Sequence, residues 1–370
     1  MVTATRIPQK VSASNQHVTV ITAEEITAGG YQSLVELLQA RGGVEGTTSG
    51  GPGQPSAVFI RGAEARNTLV LIDGLRINSA INGGTPYENI PLSQIERIEI
   101  VPGPLSSVYG SDAIGGVIQI FTRRGADGAS ARAEAGSYGT RGLAAATGRR
   151  VNDTEFSISA GALESRAFDA TKPTIPFAQH NPDLDRYRNK NFSARLAQHF
   201  NGSHELGATV FYSEGTTHFD AGATTDDVNQ QTLQAYSVYS RNRLGENWVS
   251  FVRLGTTRDN SSSTGAFPGY FRTVQNQATW QNDFGTPIGT VVAGLEYLDQ
   301  SVASSTPYEQ TGRTVKSAVA GYQGSYGPHA LQLNARRDDN SQYGGQSTGS
   351  AGYSYRFDSA LHARASAGTA

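Results

Sequence analysis

The stretch Tyr109–Ile120, YGSDAIGGVIQI, ends a run that opens at Val58 with VFIRG and passes through LVLIDG at Leu69–Gly74. These are short β-branched strands broken by glycine, with Arg61, Asp73 and Arg76 at the strand ends. Apolar runs without alternation mark strands covered on both faces, and paired glycines let a second backbone come close. An ordinary small α/β core would share these features, so the pattern alone leaves that alternative open.

Working outward, HVTVITAEEI at 17–26 predicts a strand running into a helix, with Thr22 and Glu25 at capping-box spacing. Leu34, Leu37 and Leu38 share one face of a helix expected over Tyr31–Gln39, which Gly42 and Gly43 end. Thr47–Ser56 and Asn78–Tyr87 read as loops, rich in glycine and small polar residues, at one side of this unit. Beyond Gly125–Gly128 the texture changes to segments of alternating polarity. Phe156, Ile158, Ala160 and Ala162 share a face, as do Leu206, Ala208, Val210 and Tyr212, and Val291, Ala293, Leu295 and Tyr297. Short turns such as Asn201–Ser203 interleave with long polar stretches at Arg166–Lys190 and Ser213–Gln231. That inequality separates an outer-membrane barrel from a soluble sandwich of equal alternation.

Composition narrows the classes. No apolar run reaches the roughly 20 residues of a membrane helix, while a mean hydropathy of −0.39 suits either a soluble β protein or a barrel. A net charge of −2 without a basic run sets nucleic acid aside. There is no cysteine, hence no disulfide or thiolate site. The histidines lack metal-ligand spacing, and the acid pairs Asp226–Asp227 and Asp338–Asp339 lack a partner at catalytic spacing, so enzyme chemistry finds no support.

Taken together, VFIRG, LVLIDG and IERIEIVPGPLSSVYGSDAIGGVIQI (Ile95–Ile120) resemble the plug domain of TonB-dependent outer-membrane receptors, especially the cobalamin-transporting branch. The resemblance implies an α+β plug followed by an antiparallel transmembrane β-barrel. The expected organisation is a TonB box and N-terminal segment at 1–15, the plug at 16–128 and barrel at 129–370. Roughly thirteen strands are expected against about twenty-two in such receptors, so the barrel is read as truncated. No signal peptide is visible, and HARASAGTA at 362–370 reads as a strand cut mid-run, so the chain is taken as a fragment.

The same likeness implies partners and sites. MVTATR resembles the TonB box, with Val2, Thr3 and Ala4 pairing with TonB as an added strand. Gln54 and Ser56 match cobalamin-contacting loop positions, and Asn82 and Gly83 are candidates by position; the other reading of all four is a solvated turn. Asp169, Asp183, Asp185 and Asp220 match a calcium site of the extracellular loops. Carboxylates at i, i+2 on irregular backbone can converge on calcium, although a solvated acidic loop looks the same in sequence. Arg61, Asp73, Arg76, Glu96, Arg97 and Glu99 are either a network joining plug to barrel or plain strand-end charges. The function implied is TonB-energised uptake of cobalamin or another corrinoid across outer-membrane lipid, without catalysis. A ferric siderophore or haem receptor is the near rival, and a passive porin or surface adhesin the distant one.

Overall fold

The computed structural model describes residues 15–124, 128–174, 180–358 and 361–369. The N-terminal unit runs β1 (Thr19–Thr22), α1 (Ala23–Gly29), α2 (Leu34–Gly42), β2 (Glu45–Thr48), β3 (Ser56–Phe59), β4 (Thr68–Ile72), β5 (Leu75–Arg76), β6 (Ile95–Pro102), α3 (Ser106–Tyr109) and β7 (Gly116–Thr122). A five-stranded sheet takes the order β1-β6-β7-β4-β5, with β4 and β7 parallel and the other neighbours antiparallel. Every residue of β4 and of β7 is buried, which is why neither alternates in sequence. The capping box at Thr22 and Glu25 forms as expected. The second helix starts later than expected, after Ser33, because the Ser33 hydroxyl accepts from Glu36 N and fixes the N-cap there.

LIDGLR makes a two-residue hairpin between β4 and β5. Asp73 and Gly74 both take positive φ, 47° and 81°, the backbone that matches the strand twist in such turns. Asp73 tolerates this because its side chain is spent locally: Oδ1 accepts from Thr122 N at 3.1 Å and Oδ2 from the Thr122 hydroxyl at 2.6 Å. The turn therefore pins the end of β7. The candidate charges close mainly on this unit itself, Arg97 on Glu99, Arg76 on Asp112 and Glu96 on Arg124 N, rather than reaching across to a wall.

The rest of the described chain is one antiparallel sheet of thirteen strands, in sequence order, whose two ends do not meet. It comprises β8 (Gly128–Ala135), β9 (Arg141–Val151), β10 (Thr154–Ser165), β11 (Tyr187–Phe200), β12 (His204–Phe219), β13 (Asp227–Gly245), β14 (Trp248–Thr264), β15 (Gly269–Thr286), β16 (Gly289–Ser304), β17 (Gly312–Tyr326), β18 (His329–Asn340), β19 (Gly344–Arg356) and β20 (His362–Gly368). Its polarity is inverted relative to a soluble sheet. Leu196, Leu206, Val238, Leu254 and Leu295 are each 53% exposed on the outside, while Ser157, Ser159, Asn189, Asn191, Ser193 and Ser213 are buried inside. Trp248 stacks on Phe284, ring centroids 5.6 Å apart, at the rim of short turns, as an interfacial aromatic would. That rim carries 152–153, 201–203, 246–247, 287–288 and 327–328, and the opposite rim carries 166–174, 180–186, 220–226 and 305–311. The expected long loop at Ser213–Gln231 is mostly strand: β12 and β13 pair from Phe219–Asp227 inward and leave only 220–226 as loop.

The N-terminal unit sits inside the curved sheet, and neutral amides hold it there. Asn89 donates to the carbonyls of Ser213 and Gln231, and Asn189 to Asn89 Oδ1 at 3.0 Å. Gln94 donates to Asn191 Oδ1 at 2.6 Å and accepts from Ser193 Oγ. On the next stretch of wall, Gln277 exchanges two bonds with the Arg76 backbone, and Gln275 donates to the Asn78 carbonyl. Lumen-facing Phe211, Leu233 and Ala235 join the apolar core of the inner unit.

Replacing Asp73 by Val forces a β-branched residue into the left-handed region and deletes two hydrogen bonds, for a cost of about 2–4 kcal/mol. Asp73→Asn, which tolerates that region, is expected to lose less; the urea concentration at which trypsin first cuts the inner unit reads the difference. Glu88, half-buried at the wall and accepting from Ser56 at 2.8 Å, is pushed up to about 7 by loss of solvent, with the Asp259 charge adding to it. A carboxyl raised on folding contributes stability that is complete below its ordinary 4.5 and lost as pH rises through about 7. The inner unit should therefore loosen between those values, and Glu88→Gln should flatten the dependence in the same assay.

Candidate functional site at the loop rim

The long-loop rim gathers the loops of both units. Residues 49–55 of the inner unit form a tight loop closed by Ser49 N on the Pro55 carbonyl and Gln54 N on the Gly51 carbonyl. Gly53 has φ +80°, and a side chain there would run into the Tyr187 ring, so this close approach requires glycine. Gln54 is 6% exposed and donates from Nε2 to the His218 carbonyl at 2.8 Å. Ser56 points to Glu88. In the second loop, Asn82 is exposed and its Oδ1 accepts from Gly84 N. Gly83 has φ +72° and lies against Arg66. Of the four positions expected at a ligand, Asn82 faces solvent, whereas Gln54 and Ser56 are engaged in protein contacts. Val2, Thr3 and Ala4 lie outside the described residues.

The aspartates divide three to one. Carboxylate oxygens of Asp183, Asp185 and Asp220 lie within 4.8 Å of one another. Asp169 stands apart: its Oδ2 is 2.7 Å from His180 Nε2, and its Oδ1 accepts from Thr171 N. Asp185 is 2% exposed, with Oδ2 accepting from Ala170 N at 2.8 Å. Its Oδ1 and the Oδ2 of Asp220 are buried without a hydrogen-bond partner among the described residues. Burial raises both Asp183 and Asp185 above the ordinary carboxylate range, and mutual repulsion with Asp220 adds to the rise. Converging hard oxygens with two orphaned acceptors fit a divalent cation such as calcium.

Nearby acids already have structural work. Asp227 accepts from the amides of Ala221, Gly222 and Ala266 and from the Thr225 hydroxyl, joining loops 220–226 and 265–268. Asp338 holds Arg336, which also pairs with Glu296. Asp226, the neighbour of Asp227, lies 2.7 Å from His218 Nδ1. Farther down, a cavity of about 980 Å³ separates the inner sheet from the wall, lined among others by Arg97, Gln119 and Phe121 on one side and Thr209, Arg253 and Arg336 on the other.

What sequence reasoning missed is the set of amides facing inward. Asn189, Asn191 and Ser193 are legible as a polar face by their alternation, but their partners Asn89 and Gln94 occupy short turns without a pattern. Nothing local to Gln54 announces its bond to the His218 carbonyl, 164 residues further along the chain.

The family model of the TonB-dependent receptor plug domain matches residues 10–117. The vitamin B12 transporter BtuB of Vibrio cholerae is 29% identical over the whole chain, and that of Photobacterium profundum 31%. The chain spans 62% and 61% of the length of these relatives. Among solved structures, the yersiniabactin uptake receptor FyuA of Yersinia pestis superposes with a TM-score of 0.75 at 15% identity, covering 95% of this chain and 64% of FyuA. An enterobactin-bound variant of the ferric enterobactin receptor PfeA of Pseudomonas aeruginosa gives 0.74 at 16%, covering 96% and 62%. At such identity these two speak to the fold alone. The inner unit, matched over residues 10–117 by the plug-domain model and seated inside an inverted-polarity sheet, and the likeness of the whole chain to vitamin B12 transporters make this chain similar to the TonB-dependent outer-membrane receptors.

Proposed function

We propose that the chain is the plug and leading part of the barrel of a receptor for active uptake of cobalamin or a related corrinoid. The observation that carries this reading is the acid trio on the long-loop rim of a chain related along its whole length to vitamin B12 transporters. In this reading Asp183, Asp185 and Asp220 hold calcium, which removes their repulsion and fixes the loops that receive the ligand. Asp169 joins only by leaving His180. Asn82 and Gly83 offer contacts from the plug's second loop, and Gln54 and Ser56 shape the floor beneath.

TonB then engages Val2, Thr3 and Ala4 as an added strand, where main-chain bonds suffice for affinity. Ligand seating loosens the N-terminal segment, and pulling on it rearranges the plug. The neutral amide contacts with the wall suit that step, since each is worth only about 0.5–1.5 kcal/mol and water can replace it. The cavity beside the inner sheet gives the plug room to shift. The chain itself catalyses no reaction.

Titrating cyanocobalamin into the full-length receptor, with calcium and then with chelator, tests both halves of the reading. Tight binding that weakens about tenfold on chelation, a common size for coupled sites, is expected. Asp185→Asn should bind as the chelated protein does. Binding indifferent to calcium keeps the corrinoid and removes the ion. If cyanocobalamin fails to bind under either condition while a ferric siderophore binds, the cargo assignment is wrong.

A further inference from the structure

Resting on the reading that the acid trio holds a divalent cation, we propose that plug loop 49–55 is one wall of that site, with Gln54 as its positioning residue. Cation loading and plug seating are then one linked equilibrium. The plug touches both chain segments that carry the orphaned carboxylate oxygens of Asp185 and Asp220. On the first, Asp185 N bonds the Phe168 carbonyl at 3.4 Å and Asp185 Oδ2 accepts from Ala170 N, so residues 168–170 and 185 move as one piece. Gly50 and Gly51 pack directly on Ala167, Phe168 and Ala170.

On the second segment, His218 and Thr217 precede Asp220. Gln54 donates to the His218 carbonyl, and the Thr217 hydroxyl donates to the Gly53 carbonyl at 3.1 Å. The two segments meet at His218 N on the Arg186 carbonyl, 2.8 Å, one residue beyond Asp185. The plug loop thus bridges the frame that sets the distance between Asp185 and Asp220. Three neighbouring carboxylates repel, and a divalent ion draws their segments together. Drawing them together fixes the carbonyl that Gln54 holds and the apolar seat of Gly50 and Gly51. Linkage is reciprocal, so a seated loop must favour the cation to the same extent.

Gln54 is therefore a strut beneath the capture loops. Its removal is predicted to separate the cation site from the plug without disturbing the plug core. The test titrates calcium alone into the full-length receptor and follows amide exchange by mass spectrometry, with no corrinoid present, so that cargo identity does not enter. In the wild type, calcium should slow exchange across 49–56. Gln54→Ala should bind calcium about fivefold more weakly, at the lower end of usual coupling, and lose that slowing. Exchange over 69–72 and 116–120 should stay unchanged as the report on folding. Asp185→Asn should lose calcium binding and slowing together. The proposal falls if Gln54→Ala binds calcium as the wild type does, or if calcium leaves 49–56 unaffected while binding normally. A wild type that binds no calcium removes the cation reading itself, and this inference with it, a result the wild-type titration alone displays.

Discussion

A strand facing hydrocarbon has no water to satisfy its N–H and C=O groups, so each must be met by a neighbouring strand, and each unmet group costs several kcal/mol. This constraint orders everything after Thr122. It explains why β9 to β19 pair in plain sequence order by hairpins, with hardly a register shift along the sheet. It also explains why the strands alternate leucine, valine and tyrosine outward with serine, asparagine and glutamine inward. Among the described residues, the two end strands, β8 and β20, each keep one unpaired edge. An edge of that kind is acceptable in a membrane only against further strands.

The inward face creates a second problem, because a wall of serine and asparagine must be satisfied once water is displaced by the plug. Here the plug answers amide with amide. Asn89, Asn189, Asn191, Gln94, Ser193 and Ser213 form one connected set across the junction, and Gln275 and Gln277 complete the edge strand at Arg76 and Asn78. Charges are handled differently: Arg76, Arg97 and Arg336 are paired within their own unit, plug with plug and wall with wall. Breaking a buried ion pair across the junction would cost about 3–5 kcal/mol, far more than exchanging a neutral hydrogen bond. On the proposed function, a domain that stays seated at rest and shifts on demand would be better held by many weak bonds than by a few strong ones.

Much of this architecture was legible in residues alone, and the reasons are local. Asp-Gly between two apolar runs specifies a left-handed two-residue turn, and LIDGLR makes it. Period-two alternation reports which face of a strand is wet, and Leu206 to Tyr212 behave accordingly. What stayed hidden depends on contacts distant in sequence. The stretch Ser213–Gln231 reads as polar loop because Ser213, Gly215 and Thr217 resemble turn residues, yet they point inward at the plug, and their polarity belongs to a lumen. Of the four loop aspartates that sequence groups together, Asp183, Asp185 and Asp220 converge, and only the bond to His180 tells Asp169 from them. Asn89 and Gln94 carry no local signature, since what makes them matter is the wall they face.

The loop rim applies the same economy to ligand capture. Loops rich in polar residues lose conformational entropy when they close on a ligand, and an unordered rim would lose affinity by that amount. Carboxylates gathered this closely oppose closure further, as the raised positions of Asp183 and Asp185 indicate. A bound cation would reverse that sign, turning the trio from a repulsive element into a fastening one, so the ordering would be complete before the ligand arrives. Because loop 49–55 lies against the same frame through Gly50, Gly51 and Gln54, a rim ordered in this way is a surface to which the plug already contributes. On the proposed function, receiving a ligand and registering its arrival at the plug would require no separate relay, since loop 49–55 bonds directly to the strand end that leads into Asp220.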